Sequence, residues 1–224
     1  MSNTVVVAGG TGALGVAVTA EFLRAGWRVV VPGRTEESLA RLGTDPALNP
    51  VIADPFDPAG TADVVALATS DETAPLTALV NLVGGFASGG RVHETPIEDF
   101  EEQLRLNLRP TYLITQGVLP HLLAAGAGAI VCTSSGAAQR PFSGAAGYIT
   151  AKAGVLAFAD ALHAEYARDG IRVNTIIPGT IDTPANRAER PKADTTRWTP
   201  PARIATVVRT LVEVDGFAGA HLSV

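Results

Sequence analysis

The chain has 224 residues, of which 46% are hydrophobic and 17% are charged, so it suits one α/β domain with a single core and is unlike a disordered chain. Its net charge of −5 lacks the basic excess that nucleic-acid binding requires, so we expect no nucleic-acid partner. The lone cysteine, Cys132, excludes an intramolecular disulfide, and the four histidines are too far apart in sequence for a local metal site, so no metal is expected.

The first residues lead directly into an apolar segment, without the charged region and long apolar run of a secretion signal. No apolar run in the sequence reaches the roughly 18 residues that a membrane span requires. We therefore expect a cytoplasmic protein with no membrane partner.

Short β-branched segments alternate with longer amphipathic segments along the chain. Strands are predicted at residues 4–8, 28–31, 51–53, 79–82, 129–133 and 172–177. Helices are predicted at residues 13–25, 36–41, 61–68, 97–125 and 148–168, with Pro110 and Pro120 expected to interrupt the longest one. This alternation predicts a single α/β domain over residues 1–224 with a Rossmann fold, in which helices cover both faces of a doubly wound parallel sheet.

A glycine-rich segment directly follows the first predicted strand. Its residues are Gly9, Gly10, Thr11, Gly12, Ala13, Leu14 and Gly15. Glycine lets the backbone turn tightly and approach a pyrophosphate, whose charge the amide groups of the following helix would meet. The segment predicts a dinucleotide site, and a tight turn without a ligand is the alternative.

The end of the second predicted strand bears on which nicotinamide cofactor binds. An acidic residue usually follows this strand in NAD-preferring sites, where it binds the ribose hydroxyls. The sequence has Arg34 there instead, which could pair with a 2′-phosphate and so favours NADP over NAD. Glu36 and Glu37 follow Thr35, as first-turn acids of a helix do. A solvated loop charge would explain Arg34 equally well.

Three polar side chains are candidates for proton transfer. Tyr148 and Lys152 are four residues apart, which places the phenol and the ammonium on one face of a helix. A nearby cation favours the ionised phenol and would lower its pKa. Ser135, after the fifth predicted strand, could donate a hydrogen bond to a substrate carbonyl. Taken singly, these residues are more often a half-buried aromatic, a solvated amine and an ordinary turn serine.

With these motifs in this order, the sequence resembles the short-chain dehydrogenase/reductase family over essentially its whole length. Residues 8–15 are similar to the family's TGxxxGxG turn, with Ala8 and Ala13 as departures, and residues 81–84 resemble its NNAG motif. Residues 148–152 match its YxxxK motif, and residues 174–183 resemble its nicotinamide-binding segment. The catalytic residues implied by this resemblance are Asn107, Ser135, Tyr148 and Lys152. The predicted cofactor contacts are Gly9, Thr11, Gly12, Ala13, Leu14, Gly15, Arg34, Asp54, Asn81, Gly84, Tyr148, Lys152, Pro178, Gly179, Ile181 and Thr183.

The resemblance also implies a mechanism, in which a hydride passes between the nicotinamide and a carbonyl carbon. Tyr148 would give or take the proton at the oxygen, and Ser135 would polarise the carbonyl. Lys152 would lower the pKa of Tyr148 and hold the nicotinamide ribose, while Asn107 would anchor a water relay to Lys152. Relatives often form a homodimer or a homotetramer through the helices predicted here at residues 100–125 and 148–168.

The substrate is expected to meet residues 179–201, an irregular segment rich in Pro, Thr and charge that leaves the sheet at its carboxyl edge. Thr199 is predicted to cap a helix that runs to about Val214. The remaining side chains predict substrate contacts at Phe86, Asn186, Arg187 and Trp198.

Residues 179–201 and the segment around Phe86 resemble the dihydropteridine reductase branch of the family. Ser135 and the missing acid after the second strand depart from that branch, and they favour a small carbonyl or alcohol substrate. Pterin reduction is the alternative. A non-catalytic dinucleotide sensor is an alternative from another class, although a sensor has no need of a proton relay.

Overall fold

A seven-stranded, wholly parallel sheet forms the middle layer of the structure, a computed structural model that describes residues 3–224. Its strands are β1 (Thr4–Ala8), β2 (Arg28–Gly33), β3 (Leu48–Ile52), β4 (Leu76–Asn81), β5 (Gly128–Thr133), β6 (Ile171–Ile177) and β7 (His221–Ser223). They lie in the order β3-β2-β1-β4-β5-β6-β7. The order reverses between β1 and β4, which makes this junction the topological switch point where such sheets bind ligands.

Helices cover both faces of the sheet, as predicted. They are α1 (Ala13–Arg24), α2 (Glu36–Ala40), α3 (Pro58–Ala68), α4 (Ile97–Asn107), α5 (Arg109–Ala125), α6 (Gly136–Gln139), α7 (Ala146–Tyr166), α8 (Pro184–Glu189) and α9 (Pro201–Glu213). Successive strand residues alternate between the two faces: Val6 packs with α3, α5 and α7, and Val5 and Val7 pack with α1 and α9. Both faces are buried, which explains why the strands are largely apolar, and the prediction of a Rossmann-type fold is confirmed.

The third and fourth strands begin earlier than predicted. β3 includes Asn49 and Pro50, residues typical of loops, because it is an edge strand in which the missing N–H of proline breaks no necessary ladder bond. β4 starts at the buried Leu76, which pairs with Thr4 of β1. The predictions were therefore wrong about where β3 and β4 begin and end, but both strands exist as predicted.

The long predicted helix over residues 97–125 is divided at Leu108. Pro110 causes the division, because it lacks the N–H that would bond to the preceding turn, and it is tolerated in the first turn of α5. The predicted interruption at Pro120 is wrong. Pro120 lies on the exposed side of a continuous α5, where water can satisfy the carbonyl that its missing N–H leaves free.

Residues 179–201 are more regular than predicted. They contain α8, the 3₁₀ segment Thr195–Arg197, and a bridge that pairs Ile181 with Thr199. The predicted N-cap at Thr199 is wrong, because its backbone is engaged in this bridge: its N–H donates to the Thr180 carbonyl and its carbonyl accepts from the Asp182 N–H. Pro200 is the N-cap of α9 instead, without a capping side chain.

Within residues 3–224, no helix is long and apolar enough to cross a membrane. The same residues contain no group of three or more His, Cys, Asp or Glu side chains that could hold a metal ion. Cys132 is a buried free thiol, and burial raises its pKa to about 12.

Candidate active site

A cleft runs along the carboxyl ends of the central strands, across the switch point. Five segments line it: the turn after β1, the loop after β4, the end of β5, the start of α7 and the segment after β6. Their residues are Gly9, Gly12, Ala13, Leu14, Gly15, Leu82, Gly84, Gly85, Phe86, Thr133, Ser134, Ser135, Tyr148, Lys152, Pro178, Gly179, Ile181, Thr183 and Asn186. The fold therefore brings most of the predicted site residues together, although they come from distant parts of the chain.

The turn after β1 depends on glycine at two positions. Gly9 has a φ of +82°, and a Cβ there would lie 2.9 Å from the Val83 nitrogen in the loop after β4. A Cβ on Gly15 would overlap the Gly9 carbonyl oxygen and lie 2.5 Å from Gly10 Cα. The turn can thus pack closely against both α1 and the loop after β4. No side chain caps α1, so the first-turn amides of the helix face the cleft without a capping partner.

Gly15→Ala is expected to lower the free energy of unfolding by about 1 to 3 kcal/mol, because the added Cβ forces the turn away from α1. Chemical denaturation monitored by circular dichroism measures this change. Gly12→Ala is the matched control, since a Cβ on Gly12 meets only the Gly9 carbonyl oxygen at 3.4 Å, an ordinary contact. Equal effects of the two substitutions would contradict the close-packing explanation.

Tyr148 and Ser135 meet at the wall of the cleft. Ser135 is the N-cap of α6, and its hydroxyl oxygen accepts a hydrogen bond from the Ala137 N–H at 3.2 Å. The same hydroxyl is hydrogen-bonded to the half-buried phenol of Tyr148. Burial raises the pKa of Tyr148 above its ordinary value, and the Ser135 hydrogen bond opposes this rise only partly.

Lys152 lies one turn further along α7 and is 5% exposed. Its Nζ donates a hydrogen bond to the Thr133 carbonyl at 3.1 Å, and burial lowers its pKa to about 8. The sequence led us to expect that Lys152 lowers the pKa of Tyr148. The structure shows the opposite direction for Tyr148, because burial outweighs other influences on the phenol and Lys152 is itself directed to Thr133.

Asn107, the last residue of α4, holds the loop after β4 in place. Its Oδ1 accepts from the Gly85 N–H at 3.1 Å, and its Nδ2 donates to the Gly85 carbonyl at 3.0 Å. A Cβ on Gly84 would lie 2.6 Å from Asn107 Oδ1 and 2.9 Å from Lys152 Nζ. Glycine at this position therefore allows the amide and the amine to approach each other behind the cleft.

Several predicted contacts lie outside the cleft lining. Thr11 is in the turn before α1, and Asn81 is buried with its Oδ1 accepting from the Val83 N–H at 3.2 Å. Arg34 follows β2 and Asp54 follows β3. Both therefore lie at the carboxyl ends of the strands, as the cleft does, but on the other side of β1 from β4. The Arg34 guanidinium is exposed and makes no hydrogen bond or ion pair with residues 3–224.

Two of the four predicted substrate contacts are not brought to the cleft. The Arg187 guanidinium is held by the Asp182 carboxylate through two hydrogen bonds, one of them at 2.9 Å. Trp198 follows the 3₁₀ segment Thr195–Arg197, its backbone N–H donates to the Thr195 carbonyl, and it is not among the residues that line the cleft. Phe86 and Asn186 do line it, although Asn186 Nδ2 also donates to the Ile181 carbonyl at 2.8 Å.

Among the residues at the site that sequence reasoning did not predict, Ser134 and Phe142 contact the candidate catalytic residues or their neighbours. Ser134 is buried, and its hydroxyl donates to the Lys152 carbonyl at 2.8 Å, which fixes the start of α7 against β5. Phe142 contacts Phe86, whose ring lies edge-on against the Tyr148 ring at a centroid distance of 5.0 Å. The adjacent serines after a strand could have indicated Ser134, but no local pattern distinguishes Phe142 from an exposed loop residue.

The fold and the cleft at its switch point define this protein as a Rossmann-type α/β protein. A sequence model of the family described as short chain dehydrogenase matches residues 3–194. The chain is also 35% identical to 2-(R)-hydroxypropyl-CoM dehydrogenase of Xanthobacter autotrophicus over 82% of this chain and 76% of that protein. The chain therefore belongs to the short-chain dehydrogenase family and is an oxidoreductase, which disfavours the alternative of a non-catalytic sensor.

Solved structures share this architecture. ElxO with NADP bound superposes with a TM-score of 0.91 at 23% identity, covering 100% of this chain and 97% of that one, which supports the fold. A variant of actinorhodin polyketide ketoreductase with NADPH gives a TM-score of 0.88 at 26% identity, covering 100% of this chain and 95% of that one.

Proposed function

We propose that this oxidoreductase uses NADP or NAD to interconvert a carbonyl compound and its alcohol. We further propose that residues 1–224 form one nucleotide-binding domain, with residues 179–201 as its substrate loop. One observation carries the proposal: the hydrogen-bonded hydroxyls of Ser135 and Tyr148 lie in the same cleft as the buried Lys152 amine. Such a group of side chains can move one proton at a carbonyl oxygen in a site shielded from water.

The residues of the cleft fit a dinucleotide cofactor. The close-packed glycine turn and the uncapped first turn of α1, which has no acidic residue, form a cradle suited to the pyrophosphate. At the other end, Pro178, Gly179, Ile181 and Thr183 would hold the nicotinamide, and Lys152 would hold its ribose. The bound nicotinamide would supply or accept the hydride. The similar polyketide ketoreductase, solved with NADPH, supports the same cofactor class.

The proton at the reacting oxygen would come from Tyr148. Ser135 would donate a hydrogen bond to the carbonyl oxygen, and the phenol would transfer its proton to that oxygen as the carbonyl becomes an alcohol. Burial raises the pKa of Tyr148, so the phenol keeps its proton at neutral pH, which is the form that carbonyl reduction requires. Alcohol oxidation requires the phenolate instead, so its rate should rise with pH.

Arg34→Ala is expected to weaken NADPH binding about tenfold to a hundredfold and to leave NADH binding unchanged, because an unpaired guanidinium after β2 can bind a 2′-phosphate through charge-assisted hydrogen bonds. Fluorescence titration with both cofactors measures the ratio. Arg41→Ala is the control, since Arg41 is an exposed arginine nearby whose Nη2 lies 3.6 Å from Glu37 Oε1. Unchanged NADPH binding in Arg34→Ala would identify Arg34 as a solvated loop charge.

A panel of ketones, aldehydes and secondary alcohols, run in parallel with NADPH and NADH, tests the proposed function. We expect the nicotinamide absorbance to change with at least one neutral carbonyl compound and the change to be abolished in Tyr148→Phe. No absorbance change with any member of the panel, or an unaffected Tyr148→Phe, would refute the proposal.

Pterin reduction is the second candidate function. It is supported by the exposed aromatic surface at the mouth of the cleft, where Phe86 is 46% and Phe142 is 48% exposed and a flat ring could stack. The resemblance of residues 179–201 to the dihydropteridine reductase branch points the same way. A quinonoid dihydropterin therefore belongs in the substrate panel, and its preferential reduction with NADH would favour this candidate.

We also propose that the protein forms a homodimer or homotetramer through α5 and α7. Tyr112 of α5 is 49% exposed, and its ring packs against Phe158 of α7 in the same chain at a centroid distance of 5.7 Å. This leaves an aromatic surface on the two helices for a second copy to cover. Light scattering after size-exclusion chromatography determines the oligomeric state.

A further inference from the structure

A second cavity adjoins the active-site cleft and shares one residue with it, Tyr148. It has a volume of about 710 Å³ and lies between residues 87–97, one side of α4 and the start of α7. We call it the α4 cavity. A molecule whose carbonyl reaches Tyr148 can extend into this cavity, and the volume is in the range of small-molecule pockets.

The walls of the α4 cavity are held in place beside Tyr148. Gly144 has a φ of +85°, and its carbonyl accepts a hydrogen bond from the Gly89 N–H at 2.7 Å, which fixes one wall to the segment before α7. Gly147 allows α4 and α7 to approach closely, because a Cβ there would lie 3.2 Å from Gln103 Cβ. Gln103 therefore packs against Gly147, the residue directly before Tyr148.

Gln103 is the one buried polar side chain in a largely apolar lining. The lining includes Val92, Ile97, Phe100 and Leu106. Gln103 is 7% exposed, and its Oε1 has no hydrogen-bond partner among residues 3–224. Buried acceptors in native proteins are usually satisfied. Oε1 has almost no surface open to the cavity, so a ligand donor reaches it when the Gln103 amide turns toward the cavity.

The charges around the α4 cavity are acidic. The carboxylates of Glu94, Asp99 and Glu102 line it, and no lysine or arginine does so among the described residues. Glu102 is paired with Arg105 outside the lining, and Glu94 Oε1 lies 3.7 Å from His93 Nε2, whereas the Asp99 carboxylate has no ion-pair partner within residues 3–224. An anionic ligand would therefore be repelled, and a neutral one would not.

We propose that the α4 cavity receives the part of the substrate remote from the reacting carbonyl, that this part is uncharged and largely apolar, and that Gln103 Oε1 accepts a hydrogen bond from it. The inference rests on the proposed function, since it uses Tyr148 as the reacting end. It assigns substrate selection to the α4 side of the cleft as well as to residues 179–201.

Three ketones on one scaffold test this assignment: para-aminoacetophenone, para-methylacetophenone and para-acetylbenzoate. Calorimetric titration of the protein loaded with oxidised cofactor measures their binding without turnover. We expect the amino compound to bind about tenfold more tightly than the methyl compound, as one satisfied buried hydrogen bond allows, and the anionic compound to bind most weakly. Equal affinities of the amino and methyl compounds, or no binding of either, would overturn the proposal.

Two variants locate the effect. Gln103→Leu should reduce the preference for the amino over the methyl compound to twofold or less, while Gln116→Leu, the same change on the exposed side of α5, should preserve it. Ala146→Phe, at the exposed start of α7 in the cavity lining, should weaken binding of both aryl ketones about tenfold, because the added ring fills part of the cavity. A preference that survives in Gln103→Leu would overturn the role of Gln103. Turnover of any ketone in the wild-type protein reports on the proposed function separately from these binding ratios.

Discussion

Tyr148→Phe is expected to lower kcat by at least about a thousandfold while the dissociation constant for the cofactor changes by less than about threefold. The phenol oxygen is the only atom group lost, and the ring keeps its edge-on contact with Phe86. Because Ser135 remains anchored to the Ala137 N–H, the carbonyl-polarising hydroxyl should stay in place. Steady-state kinetics and a cofactor titration on the same preparation measure both quantities.

Tyr166→Phe is the matched control, since Tyr166 ends the same helix, α7, and does not line the cleft. Its kcat should equal that of the wild-type protein. If Tyr148→Phe retained more than about a tenth of wild-type turnover, another group would have to supply the proton, and Ser135 would be the next hydroxyl to test. Parallel losses in the two variants would indicate a structural effect on α7.

The fold was predictable because its strongest signal is local. β1 and β2 are buried on both faces and each contains three consecutive valines, and β1 was predicted to the residue. β3 is less clear in the sequence because it lies at the sheet edge, where Asn49 and Pro50 are tolerated. β7, with only three residues, was not among the strands predicted from the alternation of apolar segments.

The candidate site was predictable where its residues belong to short motifs. Glycine spacing and the four-residue separation of Tyr148 and Lys152 are visible in the sequence, and the fold brings both to one cleft. Partners that depend on tertiary contacts were not visible. Whether Arg187 faces a substrate is decided by Asp182, and whether Lys152 points to Tyr148 or to Thr133 is decided by the packing of α7 on β5.

The same limit explains why Gln103 was missed. In the sequence it is one polar residue in a helix whose first turns are rich in charge, which is typical of an exposed face. Its burial depends on Gly147, forty-four residues later, because only glycine lets α7 approach α4 so closely. A side chain whose burial depends on a distant glycine therefore carries no local signal, whereas the residues of short motifs do.

Lys152→Met is expected to abolish turnover and yet to raise the free energy of unfolding of the cofactor-free protein at pH 7 by about 2 kcal/mol. The pKa of Lys152 falls from its ordinary value of 10.5 to about 8 in the folded protein, because the buried ammonium is desolvated. At about 1.4 kcal/mol per pH unit, this difference destabilises the fold by about 3 kcal/mol, and the lost hydrogen bond to Thr133 offsets about 1 kcal/mol of the gain.

The pH dependence of the stability difference between Lys152→Met and the wild-type protein shows whether desolvation of the ammonium causes it. Below about pH 8, Lys152 is charged in both the folded and the unfolded protein, so the full penalty is present. Between about 8 and 10.5 the folded protein has released the proton and the unfolded chain still binds it, so the wild-type protein gains stability as the pH rises and the advantage of Lys152→Met disappears. Chemical denaturation at several pH values measures this convergence, and Lys192→Met, at an exposed lysine, should show none of it. A Lys152→Met variant that is less stable than the wild-type protein at pH 7 would show that the buried amine stabilises the fold and would contradict the expected desolvation penalty.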